Sequence, residues 1–289
     1  MRNISNYPCY EIPKLNDLRE LVEYGACKGI DKTIYYRGLK NDIPVSFKEL
    51  AQYVEFLGTF FMHKNLCADK IAILSENSTE WCISFLAVVN SKNIIVPLDK
   101  ELSKEDLAEI IIHAECKAII YSEKYSDYID YFKSLDMIYL KNCFAMANFD
   151  SFVQEGKDAI DGGDREFKEI KIEKDAPACI TYTSGTSGKS KGVILSHKNL
   201  VSDVVATCQM VTAKNTLILL PLNHSFSWAS AMLAAIVYLV DAHISPNLKR
   251  VVKDLQKYKP QNISAVPMMV EMLYKNIWSN AKNKAKKNN

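Results

Sequence analysis

The chain has 289 residues, 48% hydrophobic and 24% charged, with a formal net charge of +2. That length can bury a sizeable core, as one large or two smaller domains. Four lysines (282, 284, 286 and 287) fall in the last ten residues, and taking four charges from +2 leaves the body at −2. A near-neutral body does not suggest a nucleic-acid partner, and the lysine-rich end reads as a solvated helix end rather than a nucleic-acid tail.

Eight cysteines stand at 9, 27, 67, 82, 116, 143, 179 and 208, with no C-x-x-C and no H-E-x-x-H, so a zinc site is not expected. They read as buried free thiols in a reducing compartment. No apolar leader follows Met1-Arg2-Asn3, and the longest mostly apolar run, Trp228 to Val240, has 13 residues, too short to span a bilayer. A soluble, cytoplasmic protein is expected, with at most peripheral membrane contact; a homodimer is left open.

After an irregular start with Pro8 and Pro13, Leu15, Leu18, Leu21 and Val22 carry a helical pattern. Thr33 to Arg37 and Ile43 to Val45 read as two strands. Ser46-Phe47-Lys48-Glu49 has the form of a capping box. It opens a helix with a stripe of Phe47, Leu50, Val54, Leu57 and Phe61. Strands are then expected at 70–74, 94–98, 118–121 and 137–140, alternating with helices at 79–90, after Ser103 and at 126–133. Such alternation, with continuously apolar strands, implies right-handed βαβ units and a parallel sheet covered on both faces.

Gln154 to Lys174 mixes charges around Gly162-Gly163 and reads as a linker. The expected domains are therefore residues 1–170 and 171–289. The second contains strands at 178–182 and 193–195, a helix from Ser196, a strand at 216–220 and an apolar helix at 229–239. Strands at 242–244 and 263–266 follow, with helices after Asn247 and from Met268 to about Trp278.

The most informative stretch is Ile180-Thr-Tyr-Thr-Ser-Gly-Thr-Ser-Gly-Lys-Ser-Lys-Gly192, between two of these strands. Glycines at 185, 188 and 192 let backbone N–H groups approach a ligand. Hydroxyls at 183, 184, 186 and 187 add donors, consecutive N–H groups make an anion-binding concavity, and Lys189 and Lys191 add positive charge. These residues suit a polyphosphate cradle, though the same composition also makes an ordinary turn. A Walker loop is excluded because Thr183 stands where its first Gly is needed; G-x-S-x-G is also absent.

Tyr182 to Gly192 resembles the phosphate-binding signature of adenylate-forming enzymes, Tyr-Thr-Ser-Gly-Thr-Thr/Ser-Gly-x-Pro-Lys-Gly, departing only at Ser190, where Pro is usual. Tyr7-Pro8, Glu76-Asn77-Ser78 with Trp81, and Val96-Pro97-Leu98-Asp99 resemble the N-terminal part of bacterial long-chain fatty-acid–CoA ligases. Leu220-Pro-Leu-Asn-His224 and Val266-Pro267 resemble two further signatures. The resemblance implies two stacked α/β lobes with largely parallel sheets, as in the large N-terminal domain of acyl-CoA synthetases, truncated.

It also implies a chemistry. A carboxylate, such as that of a long-chain fatty acid, attacks ATP to give acyl-AMP and pyrophosphate, and CoA then displaces AMP. By resemblance Thr183, Ser184, Gly185, Thr186, Ser187 and Gly188 hold the phosphates, Thr183 lies near Mg²⁺, and Lys191 contacts the phosphates. His224 and Trp228 would line the acyl site, Trp228 as a tunnel gate; taken alone, His224 reads more often as a core or surface histidine and Trp228 as ordinary packing. His224-Ser225-Phe226-Ser227 stands where amino-acid-activating relatives carry Phe-Asp-x-Ser, so a substrate without an α-amino group fits better. The family's Tyr-Gly-x-Thr-Glu segment, its ribose-binding Asp and its C-terminal lysine domain have no counterpart before Asn289. A non-catalytic nucleotide- or acyl-binding fragment, or an interaction module, is therefore the alternative.

Overall fold

A computed structural model describes residues 13–30, 32–37, 43–135, 137, 139–184, 190–207, 213–245 and 250–287. Asp17 caps α1 (Leu18–Lys28), its side chain accepting from the N–H groups of Arg19 and Glu20. An antiparallel pair follows, β1 (Thr33–Arg37) and β2 (Ile43–Ser46). Ser46 and Glu49 cap α2 (Phe47–His63) reciprocally, the expected capping box. Next come β3 (Lys70–Leu74), α3 (Thr79–Asn90, capped by Ser78), β4 (Ile94–Pro97) and α4 (Lys104–Ala114, capped by Ser103). The alternation continues with β5 (Ala118–Tyr121), α5 (Ser126–Ser134) and β6 (Asn142–Ala145), then α6 (Phe149–Asp161) and α7 (Glu166–Glu169).

A hairpin of β7 (Pro177–Ser184) and β8 (Ser190–Ser196) leads into α8 (His197–Thr207). The remainder is β9 (Asn215–Ile218), the short α9 (Ser225–Ser227), a π-helical turn over Trp228–Leu233, α10 (Ala234–Tyr238) and β10 (Asp241–Ile244). Last come α11 (Val251–Tyr258), β11 (Asn262–Ile263) and α12 (Pro267–Lys287). Among the described residues no helix is long and apolar enough to cross a membrane.

The main sheet has six strands in the order β6-β5-β3-β4-β7-β8, parallel except for β8. A second, all-parallel sheet runs β10-β9-β11. Alternation along β3 divides the side chains between two faces. Ala72 and Leu74 pack with α4 and α5, whereas Ile71 and Ile73 enter a large core with α2 and α3. That core also takes Ile218 of β9 and the apolar 228–240 segment, while Leu217 and Leu219 pack with Val251 and Met269 beneath α11 and α12. One helical layer is thus shared by both sheets, and α3 lies deepest in it, buried at every position except Glu80.

Four expectations are corrected. The strand expected at 137–140 is found instead at Asn142–Ala145, because pairing with β5 starts at Ala118↔Asn142, while Met137, Tyr139 and Leu140 lie outside any strand. The 154–174 linker is largely helical: α6 buries Phe149, Val153 and Gly156, and α7 buries Phe167. Strands β7 and β8, assigned to a second lobe beyond residue 170, hydrogen-bond into the first sheet instead. Finally, the six described cysteines are free, but Cys27 and Cys67 are exposed rather than buried.

Two predictions follow from this packing. A β-carbon on Gly156 would lie 1.8 Å from the Phe56 carbonyl oxygen and 2.7 Å from its carbon, so α6 and α2 meet at backbone distance. Gly156→Ala should cost about 3 kcal/mol or more, lowering the thermal midpoint by roughly 6 °C; an unchanged midpoint would contradict the contact. His197, 1% exposed, accepts from the Leu18 N–H through Nδ1 at 3.4 Å. Burial, with Arg19 nearby, lowers its pKa from 6.5 to about 4. The unfolded chain therefore binds the extra proton between these values, and stability falls as pH drops from about 6.5 to about 4. The loss is on the order of 3 kcal/mol. Urea midpoints across this range should fall more steeply for the wild type than for His197→Asn; equal slopes would refute the assignment.

Candidate functional site

Open parallel α/β sheets bind ligands outside the carboxyl ends of their strands, and here several such ends converge. Asn77, 4% exposed, lies three residues past the end of β3. Its Nδ2 donates to the carbonyls of Leu220 (2.8 Å) and Ser245 (3.4 Å), and its Oδ1 accepts from the Leu222 N–H (2.8 Å). One side chain therefore joins the exit of β3 to the exits of β9 and β10. Beside it, burial alone would raise the Glu76 pKa, but hydrogen bonds from Ser122 Oγ (2.7 Å) and Lys124 Nζ (3.2 Å) outweigh burial and hold the carboxylate below its ordinary value.

The β7–β8 hairpin carries the second group. Its antiparallel register pairs Thr183 with Lys191, Tyr182 with Gly192 and Ser184 with Ser190. Directly opposed residues project from the same face, so Thr183 and Lys191, both exposed, stand side by side at the base of the segment 185–189. Gly185, Thr186, Ser187 and Gly188 lie outside the described residues, as does the Ser184 side chain.

Gly192 leaves its partner close room: a β-carbon there would stand 3.2 Å from Tyr182 Cζ and 3.1 Å from Ile180 Cγ2, so the ring would have to give way slightly. The Tyr182 ring lies across this glycine, and its hydroxyl reaches Nδ1 of His113 at 2.7 Å. Burial, with a smaller contribution from Cys116, pushes the phenol up to about 12.

The third group follows β9. Ser227 Oγ donates to the Leu220 carbonyl at 2.9 Å, anchoring the turn that holds Asn223 and His224. His224 is exposed at the N-cap of α9, and Trp228, four residues on, is 1% exposed and packs against Phe85 with ring centroids 5.3 Å apart. The two do not share an environment. Trp228, Ser225 and Phe226 line a cavity of about 310 Å³ against Leu200 and Val204 of α8, and His224 is not among its lining residues. Two buried donors in this segment, Asn223 Nδ2 and Trp228 Nε1, have no hydrogen-bond partner among the described residues. Asn223 and His113 were not anticipated from the sequence. Asn223 carried no signal beyond lying beside His224, and His113 is 69 positions from its partner.

Magnesium takes about six oxygen ligands. Among the described residues no group of three His, Cys, Asp or Glu could hold a metal ion, and Thr183 offers one hydroxyl. The described side chains do not form a resident magnesium site.

The chain is 26% identical over 270 residues to rat (Rattus norvegicus) long-chain-fatty-acid–CoA ligase 5, covering 84% of this chain and 39% of that protein. It is 25% identical over 260 residues to the chloroplastic long-chain-fatty-acid–[acyl-carrier-protein] ligase AEE15 of Arabidopsis thaliana, covering 81% and 36%. The chain thus spans well under half the length of these relatives. Its fold matches the inhibitor-bound N-terminal domain of FACL13 from Mycobacterium tuberculosis with a TM-score of 0.79 at 17% identity, over 89% of this chain and 65% of that one. The family pattern for AMP-binding enzymes matches residues 23–289, and the chain belongs to that family.

Proposed function

We propose that this chain is the nucleotide- and acid-binding part of an ATP-dependent acyl-CoA synthetase acting on a fatty acid. The observation that carries the reading is the side-by-side placement of Thr183 and Lys191 beneath the Gly/Ser/Thr segment. A substrate carboxylate oxygen attacks the α-phosphorus of ATP, the bond to the bridging oxygen breaks, and pyrophosphate leaves. The thiolate of CoA then attacks the acyl carbon and expels AMP. In such chemistry a protein mostly positions groups and stabilises charge. Lys191 and the Thr183 hydroxyl would hold phosphate oxygens, and backbone N–H groups between them would add further donors.

The acid would enter beside Trp228. Buried indole N–H groups usually find an acceptor. The indole of Trp228 and the carboxamide Nδ2 of Asn223 have none among the described residues, which supports a ligand oxygen rather than plain packing as their partner. Leu195, Leu200, Val204 and Phe226 give the cavity beside Trp228 apolar surface for an alkyl chain, with Asn199 and Asp203 among its polar lining.

ATP–pyrophosphate exchange over carboxylic acids of increasing length tests this reading, on this chain and on a longer chain containing it. Exchange stimulated by no acid would overturn it. Lys191→Ala should slow adenylate formation roughly 10- to 150-fold, the equivalent of a charge-assisted contact of about 1.5–3 kcal/mol. Thioester formation from supplied acyl-AMP should change far less; equal small effects on both steps would remove Lys191 from the site.

A second reading, an interaction module without turnover, is favoured by one observation. Val270, Tyr274, Ile277 and Trp278 of α12 are 56%, 62%, 67% and 52% exposed. They recur at helical spacing as one apolar stripe, which usually marks a covered surface. The chain alone should self-associate at micromolar concentrations, and Tyr274→Glu with Ile277→Lys should disperse it in sedimentation velocity. A monodisperse wild-type monomer would speak against this second reading.

A further inference from the structure

We infer that His113 is a positioning residue for the β7–β8 hairpin: its bond to Tyr182 fixes where Thr183 and Lys191 stand. The inference rests on the hairpin being the nucleotide site.

The hairpin needs an external support. β8 is the edge strand of the main sheet, with β7 as its only neighbour, and Val193 and Ile194 on it are 44% and 62% exposed. β7 pairs in register with β4 at Ile95↔Cys179, and β4 ends at Pro97, level with Thr181. From Tyr182 to Ser184 the hairpin therefore runs past the end of β4, and an isolated two-stranded ribbon of this kind is marginal and prone to twist.

Tyr182 is the residue that ties the ribbon down. It pairs with Gly192, which has no side chain to lift the ring, and its hydroxyl continues to Nδ1 of His113. The two rings meet edge to face at 5.8 Å and 83°. His113 lies in the last turn of α4, and Leu107, Ile110, Ile111 and Ala114 bury that helix against the sheet. Side chains alternate along a strand, so Tyr182 holds one face of the ribbon to α4 while the adjacent Thr183 and its partner Lys191 project from the other. With its pKa near 12, the phenol stays protonated and donates, and Nδ1 accepts in the tautomer that carries hydrogen on Nε2.

This predicts a pattern that simple destabilisation would not produce. His113→Ala removes the acceptor, Tyr182→Phe removes the donor but keeps the ring, and His113→Asn offers an amide oxygen near the position of Nδ1. Binding of magnesium–ATP, titrated calorimetrically, should weaken about fivefold to tenfold in His113→Ala and Tyr182→Phe, the effect of one lost hydrogen bond. The double variant should be no worse than either single one, and His113→Asn should bind within about twofold of wild type. Amide exchange at Lys191 to Val193, followed without nucleotide, should quicken in both single variants. Multiplying losses, or an Asn variant no better than Ala, would overturn the positioning role. Wild-type binding with all three variants indifferent overturns the positioning alone, whereas a wild type that does not bind magnesium–ATP overturns the nucleotide reading and the positioning with it.

Discussion

The architecture depends on a single buried carboxamide. Asn77 spans the gap between two parallel sheets, giving one donor and one acceptor to the backbone after β9 and a second donor to the backbone after β10. Neither sheet can turn its strand exits away from the other without stranding these groups, and a buried polar group left unpaired costs about 1–3 kcal/mol. The apolar layer around α3 supplies most of the cohesion between the sheets but is not directional. Asn77 supplies the direction, and so decides that the exits of β3, β9 and β10 open on common ground.

The hairpin differs in kind from phosphate loops that run from a strand into a helix. There the helix N-terminus supplies a fixed positive potential. Here β7 turns back into an antiparallel strand, and the first helix, α8, begins only at His197. Positive potential at the base of this hairpin rests on side chains such as Lys191 rather than on a helix terminus. An arrangement of this type relies more on the position of the ribbon than a helix terminus would.

Much of this was legible in the sequence where local and tertiary preferences agree. The helix expected at 79–90 is α3 with its observed bounds, and Ser46 with Glu49 marks the start of α2. The failures have a common origin. Gln154 to Lys174 reads as a linker because its charges dominate, yet Val153, Gly156 and Phe167 suffice to seat two helices once α2 is present. Residues 137–140 have strand composition, but pairing with β5 begins only at Asn142. The signature around Tyr182 was plain in the chain, whereas its support from His113 was not, since no local pattern links a residue at the end of one helix to a strand 69 positions away. The exposure of His224 and the burial of Trp228 likewise reflect the turn between them, which spacing alone does not specify.

That turn leads into a segment whose winding differs from an ordinary helix. The N–H of Ala234 reaches back five residues to the carbonyl of Ala229, where an α-helix would reach four. The Trp228–Leu233 stretch therefore holds one residue more than an α-helical path of the same hydrogen-bonded span. Loss of a single residue there would let the segment rewind as α-helix and swing everything on its N-terminal side, Trp228 and Phe226 included, by about 100° relative to α10. The lining of the neighbouring cavity is thus set by the length of this stretch as well as by its side chains. A one-residue deletion could re-aim the cavity's aromatic wall with every side chain around it unchanged.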